Sequence, residues 1–467
     1  MELMCKKHGV SLLILSVFAV SVVSSYSTRF SPIDNYIINC GSSADAIVDR
    51  RRFSGDSGSS SPLFSVPSGA ISVVDPVPAL GTPQIYQTAR VFRRPARYNF
   101  KIQDRGTHMI RLHFHLFNSS ALELVHAQFH VLVDGYVLLN NFGGERAVGP
   151  VIKEYLIWVD AEKLVITFLP SKKSNFAFVN AIEVISAPKD LILENALSIN
   201  NGNVVNFKGL NQELLEIVGR VNVGGPKVTP FNDSLWRTWV PDDRYLKSDF
   251  GSTKVHFSGR IQYQSGGASR EVCPDNVYNS ARVISSTNAS VPNVNMTWQF
   301  PVVDSHMYLV RLHFCDIASI SLGLMYFDVY VNGVLAYKDL DLSNASNWVL
   351  ASPFYADIVV ECDESGMVSV SIGPSSYSYP HAIDGILNGV EIMKMNNSMG
   401  SLDGQLSAGF LMKSWPRVTI SILFPFLAAV FILLSIALVM RRRMAAASPS
   451  TSWTKLPVDV TESSSTR

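Results

Sequence analysis

The feature that most constrains the fold of this 467-residue chain is an internal repeat. Five segments recur in the same order at a spacing of about 200 residues, and the offset drifts from pair to pair, as expected for a duplicated domain with different loop insertions. Five ordered matches do not arise by chance, so we predict two copies of one domain. The matched pairs are IINCG with RVNVGG (37–41 and 220–225), YQTAR with YNSAR (86–90 and 278–282), MIRLHF with LVRLHF (109–114 and 309–314), FHVLVDGYVL with FDVYVNGVLA (129–138 and 327–336), and FVNAIEVI with ILNGVEIM (178–185 and 386–393).

Each copy is predicted to be a β-sandwich. Polar and apolar residues alternate along RLHF and FHVLVDG, which is the pattern of a half-buried strand. The second run turns on Asp134-Gly135 and its counterpart on Asn332-Gly333, and such dipeptides between alternating runs are the strongest short-range hairpin signal. The many short strands indicate an all-β fold, with two tandem β-sandwiches of the jelly-roll type. Between the copies, residues 209–218 (GLNQELLEIV) are predicted to form a short connecting helix.

Two apolar segments predict a cell-surface topology. Lys6 and Lys7 precede an apolar run at 9–23, which is typical of a cleaved signal peptide. Residues 418–440 carry no charge, are long enough to span a bilayer, and are followed by three arginines that favour the cytoplasm. We therefore predict a type I single-pass protein of the plasma membrane. Its predicted segments are a signal peptide (1–25), the first copy (26–187), a linker with a short helix (188–219), the second copy (220–396), a juxtamembrane stalk (397–417), a transmembrane helix (418–440) and a short disordered cytoplasmic tail (441–467).

The predicted extracellular part has two further features of secreted proteins. N-x-S/T sequons, which are acceptors for N-glycosylation in that compartment, begin at Asn118, Asn232, Asn288, Asn295, Asn344 and Asn396. Four cysteines remain after removal of the leader, and four cysteines allow three pairings, so the sequence leaves the pairing open. They are Cys40, Cys273, Cys315 and Cys362.

Several function classes are disfavoured. A formal net charge of +1 with 16% charged residues offers no basic stripe for nucleic acid. His113 and His115 form an H-x-H on a predicted strand, but the second copy has His313 and Cys315 at the matched positions, so we expect neither a metal nor a cofactor. No Ser-His-Asp string, nucleophile elbow or P-loop is present, and we do not expect an enzyme.

Longer strings resemble a known family. SLWRTWVPDDRYL (234–246), GLNQELLEIVGRVNVGG (209–225) and HAIDGILNGVEI (381–392), with the paired YxxAR and RLHF segments, are similar to the ectodomain of plant malectin-like receptor kinases, the Catharanthus receptor-like kinase group that includes FERONIA. The resemblance covers about residues 33–395 and the membrane segment. It implies two tandem malectin-like jelly rolls at the plasma membrane. These would bind a secreted cysteine-rich peptide with a GPI-anchored co-receptor, or a cell-wall polysaccharide.

Members of this family also carry a cytoplasmic Ser/Thr kinase, and here the sequence departs from the pattern. Residues 441–467 are far fewer than the roughly 250 of a kinase, and no Gly-rich loop, H-R-D or D-F-G string occurs. We expect a receptor-like protein that binds its ligand without catalysis of its own and associates with full-length receptor kinases. Two alternatives stay open, namely a lectin that tethers the membrane to wall polysaccharide and a truncated product of an active receptor kinase.

The resemblance also suggests ligand-binding residues, because carbohydrate binding is the activity that gave malectin its name. Sugars are held by aromatic faces together with carboxylates at loop ends. The candidate ligand-binding residues are Tyr86, Tyr278, Tyr377 and Asp384. In an alternative interpretation, which we favour, Tyr86 and Tyr278, which occupy matched positions in the two copies, pack at strand ends, and Arg90 and Arg282 pair with local carboxylates.

Overall fold

The computed structural model describes residues 30–57, 64–65, 69–143, 149–172, 174, 176–285, 295–303, 306–362, 365–378, 383–414 and 420–446. The predicted signal peptide, the sequon at Asn288 and the tail from residue 447 lie outside these ranges. The described part is mostly β, which confirms the predicted class. The described residues up to 412 form one compact unit, and the described residues from 413 onward belong to a second.

Strands account for most of the regular structure in both copies. The first copy contains β1 (Asn35–Asn39), β2 (Ala46–Val48), β3 (Arg51–Gly55), β4 (Phe64–Ser65), β5 (Ile71–Val74), β6 (Thr88–Phe92), β7 (Ala96–Lys101), β8 (Gly106–Phe114), β9 (Phe129–Val133), β10 (Tyr136–Phe142), β11 (Val151–Val159), β12 (Lys163–Pro170), β13 (Ala177–Val179) and β14 (Ala181–Ser186). A hairpin of β15 (Asn195–Asn200) and β16 (Asn203–Lys208) follows. The second copy contains β17 (Leu215–Asn222), β18 (Val240–Pro241), β19 (Ser252–His256), β20 (Ser280–Ser285), β21 (Met296–Pro301), β22 (Met307–Cys315), β23 (Tyr326–Val331), β24 (Val334–Asp341), β25 (Pro353–Glu361), β26 (Met367–Pro374), β27 (Ile383–Leu387) and β28 (Gly389–Met395).

Helices are few among the described residues. Single turns of 3-10 helix occur at Gln84–Tyr86, Leu124–His126, Leu210–Gln212 and Pro230–Asn232. The α-helices are α1 (Asp275–Tyr278), α2 (Leu342–Ala345), α3 (Ala408–Ser414) and α4 (Ile420–Ala446).

One continuous sheet runs through both copies. Its strands lie in the order β16-β15-β25-β22-β28-β17-β11-β8-β14-β1-β3-β2, and β18 pairs with β17. The two copies join where β11 pairs with β17, at Tyr155 opposite Glu216 and Leu156 opposite Leu215. Smaller sheets complete each copy, namely β10-β9-β12-β7-β4 and β13-β6-β5 in the first and β21-β26-β23-β24 and β19-β20-β27 in the second.

Alternation along the long strands divides the core in two. In β8, Ile110 and Leu112 belong to the core of the first copy, and Val310 and Leu312 occupy the matched positions in the second. The residues between them face the other way. On that opposite face Met109 joins a third apolar cluster with Leu309, Val359 and other residues of both copies. The long sheet is therefore covered on both faces at the junction of the copies.

The two predicted hairpins are confirmed. Two-residue turns join β9 to β10 and β23 to β24. Asp134 and Gly135 have φ of 41° and 93°, and Asn332 and Gly333 have φ of 49° and 75°. Left-handed backbone at both turn residues matches the right-handed twist of the flanking strands, and Asp, Asn and Gly adopt it at little cost.

The helix predicted at residues 209–218 is wrong. Leu210–Gln212 form a single 3-10 turn, and β17 then begins at Leu215. Local helix propensity is outweighed because β17 pairs with β28 on one side and with β11 on the other.

The stalk predicted from residue 397 does not begin there. Residues 397–404, which we call the strap, fold back onto β10 of the first copy. Val137 donates to the Gly400 carbonyl and accepts from the Leu402 amide, both at 2.9 Å. The Asp403 carboxylate accepts from the Asn140 amide at 2.8 Å, and Leu402 is fully buried in the first core. The strap therefore ties the end of the second copy to the first.

The helix near the predicted membrane span differs from the expectation. α4 extends six residues beyond residue 440, so Arg441, Arg442 and Arg443 lie inside the helix rather than after it. Within the described ranges, no helix has both the length and the apolar character that a membrane crossing requires. The predicted span at 418–440 is not confirmed.

Candidate functional site

A row of buried charges crosses the long sheet, and we call it the ionic row. Seven neighbouring strands each contribute one buried charged residue to the face that carries the apolar cluster of Met109, Leu309 and Val359. In sheet order these strands are β14, β8, β11, β17, β28, β22 and β25. Neighbours in the row are opposite or nearly opposite across the strands, where unlike charges attract and like charges repel. The signs alternate without exception through Glu183, Arg111, Glu154, Arg220, Glu391, Arg311 and Asp357.

In the first copy, Arg111 is the hub of the ionic row. Its Nε donates to Glu154 at 2.5 Å, and its Nη1 donates to Glu183 at 3.0 Å. Its Nη2 donates to the carbonyl of Leu235, a residue of the second copy, at 2.6 Å. Arg51 adds a further cation from β3, with its Nη2 2.5 Å from a Glu183 oxygen. Buried charges of this kind are tolerated only when they are paired and hydrogen-bonded.

The ionic row passes without interruption from one copy to the other. Arg220 of β17 donates through Nη2 to Glu154 of β11 and through Nε to Glu391, the latter at 2.6 Å. Glu154 thus accepts from one guanidinium of each copy. A carboxylate shared in this way fixes the two copies relative to each other through charge-assisted hydrogen bonds.

The far end of the row is closed by a bidentate pair. Arg311 donates through Nε and Nη2 to the two oxygens of Asp357, both at 2.7 Å, and through Nη1 to the Leu191 carbonyl at 2.7 Å. Both RLHF arginines therefore hold a main-chain carbonyl of the segments that cover the sheet. This use repeats in the two copies although the covering segments differ.

A histidine and a tyrosine extend the row in each copy. His113 Nε2 lies 2.9 Å from Glu183, and the Tyr86 hydroxyl lies 2.9 Å from His113 Nδ1. The second copy repeats the arrangement with His313, Glu391 and Tyr278, at 3.1 and 3.3 Å. A carboxylate can only accept, so Nε2 carries the proton and Nδ1 accepts from the tyrosine when the imidazole is neutral.

Electrostatics keep the Glu183 and Glu391 carboxylates of the row ionised. Burial by itself raises the pKa of Glu183 and Glu391, but nearby guanidinium groups and a histidine hydrogen bond outweigh it and hold both pKa values well below the ordinary range. Burial lowers the pKa of His313 and so favours its neutral form, although Glu391 opposes that effect. Glu183 and Glu391 are thus fixed negative charges at neutral pH.

A cleft of about 330 Å³ opens over the first-copy half of the row. Its walls come from β2, β3 and Tyr86 of the first copy and from residues 230–245 of the second. The Trp236 ring lies 4.3 Å from the Arg51 guanidinium, and the Arg244 guanidinium lies 4.6 Å from the Tyr245 ring. The cleft therefore combines aromatic faces with charged groups, which is the composition of a binding site for a small polar group.

The four predicted ligand-binding residues occupy different environments. Tyr86 lines the cleft but is 6% exposed, and Tyr278 is fully buried. Tyr377 is 65% exposed with its ring 6.3 Å from that of Tyr326, and Asp384 is buried in β27. Their role in ligand binding stays a prediction, and Tyr377 has the most accessible ring of the three tyrosines.

The favoured alternative for the matched tyrosines and arginines is confirmed in part. Tyr86 and Tyr278 pack at the starts of β6 and β20, and Arg90 donates through Nε to Asp56 at 3.1 Å. Arg282 donates through Nε to Asp242 at 2.6 Å. These pairs are internal supports of each copy.

The predicted glycosylation sites also differ in exposure. Among the described sequons, Asn118, Asn232, Asn295 and Asn344 are exposed. Asn396 is half-buried, and its side-chain oxygen accepts from the Leu214 amide at 2.8 Å. Glycosylation at these positions stays a prediction.

Three of the four cysteines whose disulfide pairing the sequence left open form no disulfide bond in the described part of the structure. Cys40, Cys273 and Cys315 are buried thiols in the structure. Burial is the largest cause that raises the pKa of each, which disfavours the reactive thiolate.

Sequence reasoning missed the ionic row, although part of its signal was visible. Arg111 and Arg311, and likewise Glu183 and Glu391, are identical residues at matched positions of apolar strands. A charge repeated on a buried strand indicates a buried partner. The segments that supply Arg51 and Glu154 showed no match between the copies, so the sequence carried no comparable signal for them.

Comparison with known proteins agrees with this architecture. The malectin-like domain model matches residues 38–395. The chain is 42% identical to a probable receptor-like protein kinase of Arabidopsis thaliana, over 91% of this chain and 52% of that protein. It is 38% identical to the receptor-like protein kinase THESEUS 1 of the same plant, over 86% of this chain and 47% of that protein. The chain thus spans about half the length of the curated relatives it matches.

Solved structures show the same fold. The chain is similar to the receptor-like kinase FER as crystallised with the plant peptide RALF23 and LLG2, with a TM-score of 0.68 and 31% identity over 80% of this chain and 99% of that one. It is similar to the extracellular domain of ANXUR1 from Arabidopsis thaliana, with a TM-score of 0.69 and 26% identity over 79% of this chain and 99% of that one.

Proposed function

Because this chain belongs to the malectin-like family, whose relatives are plant receptor-like kinases, we propose that its folded part is the ligand-binding ectodomain of a cell-surface receptor. The proposed ligand is a secreted cysteine-rich peptide of the RALF type, bound together with a GPI-anchored co-receptor of the LLG type. One observation carries this proposal. The chain matches 99% of the FER chain that was crystallised with RALF23 and LLG2.

The ionic row supports such a role through pre-organisation. A ligand that contacts both copies binds more tightly when their relative position is already fixed, because less conformational freedom is lost on binding. Glu154 and Arg220 supply that constraint from opposite sides of the junction. The shared carboxylate therefore favours recognition by a rigid two-copy surface.

Binding of a RALF-type peptide to the purified, glycosylated chain tests the proposal, with and without an LLG-type protein. We expect saturable binding that the co-receptor strengthens at least tenfold, and the reduced and alkylated peptide serves as the control. Equal binding of the native and alkylated peptides, or no binding in the presence of the co-receptor, would count against the proposed function.

Binding of cell-wall polysaccharide is a second candidate, and the exposed ring of Tyr377 favours it. An aromatic face of this kind beside Tyr326 suits the apolar face of a sugar ring. A glycan array compared between the native chain and Tyr377→Ala is the direct test. Equal signals from the two proteins would contradict a role for Tyr377.

A cell-surface location follows as part of the proposal, and family membership supports it. The leader at 1–25 and the span at 418–440 remain sequence-based expectations. Alkaline carbonate extraction of plant membranes tests the span. Recovery of the chain in the soluble fraction would contradict it.

A further inference from the structure

A buried arginine of the cleft has a donor without an acceptor. Arg51 is 8% exposed, and its Nη2 is engaged by Glu183. Its Nε is buried and has no hydrogen-bond partner in the described part of the chain. A buried donor that is left unsatisfied is destabilising, so an acceptor that reaches this atom gains more than an acceptor on the surface.

A second cation stands at the mouth of the cleft. Arg244 is exposed, its guanidinium lies 4.6 Å from the Tyr245 ring, and it donates to the Tyr245 hydroxyl. No carboxylate within the described ranges forms an ion pair with Arg244. The cleft thus offers an inner and an outer guanidinium, and each keeps donors for a ligand.

Among the charged groups of the lining, the guanidinium of Arg244 is the one without a carboxylate partner in the described part of the chain. Four guanidinium groups line the cleft with the carboxylates of Asp49, Glu154 and Glu183, and Arg220 also pairs with Glu391 outside the lining. Glu183 accepts from Arg51, Arg111 and His113, and Glu154 accepts from two arginines of the row. Asp49 is exposed at the rim. The carboxylates of Glu154 and Glu183 are therefore already hydrogen-bonded to arginines of the row. The donors that lack an acceptor, Arg51 Nε among them, require a further acceptor from a ligand.

The remaining walls favour a peptide over a sugar. Phe53, Ile85, Trp236 and Val240 present apolar surface. A sugar ring would carry several hydroxyl groups against these side chains, where they would lose hydrogen bonds to water. A carboxylate at the end of a short apolar stem, such as a Glu side chain, satisfies both the charge and the walls in a volume of about 330 Å³.

We propose that the cleft is a subsite for one carboxylate group of a peptide, held between Arg51 Nε and the Arg244 guanidinium. Trp236 covers the Arg51 guanidinium, so its indole shifts when the carboxylate enters. The backbone of Trp236 has φ of 55°, a conformation that bulky residues rarely adopt. The inference rests on the proposed function only for the source of the carboxylate.

Small probes test this subsite on the intact chain. Two capped tetrapeptides that differ only in one Glu or Gln are titrated by calorimetry, and D-glucuronate and D-glucose form the sugar pair. We expect the Glu peptide to bind in the millimolar range and at least tenfold more tightly than the Gln peptide, because only the carboxylate forms charge-assisted hydrogen bonds. Arg244→Gln is expected to remove this tenfold preference.

Two further variants separate the subsite from general charge and from folding. Arg52→Gln removes the neighbouring surface arginine, whose side chain is 76% exposed and pairs with Asp45, and it is expected to leave the Glu peptide affinity unchanged. Arg51→Lys keeps a cation for Glu183 but lacks the Nε donor. It is expected to weaken binding tenfold at an unchanged urea midpoint.

Three results would overturn the assignment. The first is equal affinity for the Glu and Gln peptides, which includes the absence of binding. The second is an equal loss of affinity for the Glu peptide in Arg52→Gln and Arg244→Gln. The third is tighter binding of glucuronate than of the Glu peptide, with the same dependence on Arg244. The last result would reassign the cleft to an acidic polysaccharide. If any of these occurs while the RALF-type peptide still binds, the proposed function stands and the subsite does not.

Discussion

Glu154 is the residue whose replacement tests the ionic row most directly. Its side chain is 11% exposed and accepts from Arg111 of the first copy and Arg220 of the second. Glu154→Gln preserves the shape of the side chain but removes its charge and turns an amide N–H₂ toward a guanidinium. We expect this single change to destabilise the junction of the two copies.

The expected loss in the free energy of unfolding follows from the carboxylate partners that each arginine keeps after Glu154 is replaced. With Arg51 included, the ionic row holds four guanidinium groups and four carboxylates, so removal of Glu154 leaves one positive charge in excess. Arg111 keeps Glu183, and Arg220 keeps Glu391. Breaking a buried pair by removing one partner costs about 3–5 kcal/mol, and we expect the loss in the free energy of unfolding to fall in that range.

Urea denaturation of the purified chain, followed by tryptophan fluorescence and by circular dichroism, measures this loss through the shift of the midpoint. Glu123→Gln is the matched control because it removes the same group from an exposed pair with His126, at 59% and 72% exposure. Exposed pairs contribute less than about 1 kcal/mol, so the control midpoint should barely move.

A double-mutant cycle with Arg220→Gln sharpens the test. Because Glu154 and Arg220 are in contact, the double variant should lose less stability than the two single losses added together, by about 0.5–3 kcal/mol. Additive losses, or a Glu154→Gln variant within about 1 kcal/mol of the native chain, would refute the view that the ionic row holds the copies together.

Three further predictions use the same protein. The pKa of Glu391 is lowered by folding, so its contribution to stability is full above the ordinary pKa of 4.5 and is lost as pH falls through the folded value; the urea midpoint should drop with acid, and less steeply in Glu391→Gln. Leu402→Ala should destabilise the chain by about 2–5 kcal/mol because it empties a fully buried site, whereas Met399→Ala, at 46% exposure, should leave the midpoint unchanged. Glycopeptide mass spectrometry should find lower occupancy at Asn396, whose amide is engaged, than at Asn118, and equal occupancy would contradict the use of folded-state exposure.

The sequence predicted the parts of the fold that rest on local pattern. The hairpins at Asp134-Gly135 and Asn332-Gly333 are confirmed because a two-residue turn is decided by its own residues. The first part of β17, residues 215–218, was misread as the end of a helix because the partners of this strand are distant in sequence, and local propensity carries no information about them. Duplication was visible from one sequence alone, whereas the fusion of both copies into one sheet was not.

The candidate site divides in the same way. Repeated residues such as Arg111 and Arg311 could be recognised from the sequence because they occupy matched positions in the two copies. The contacts that make a site of them are long-range, since Arg51 reaches Glu183 across 132 positions and Arg111 reaches the Leu235 carbonyl across 124. No periodic pattern specifies a pairing at such separations, and only the assembled sheet shows which charges meet.

A duplicated fold with one continuous sheet also constrains how a ligand can act on it. Two copies joined only by a flexible linker could change their angle on binding at little cost. Here the shared carboxylate of Glu154, the β11–β17 pairing and the strap across Val137 all span the junction. A change of angle would break buried ion pairs, each of which costs several kcal/mol to break. The proposed binding of a ligand would therefore recruit a partner to a preformed surface and would not drive a hinge motion between the copies.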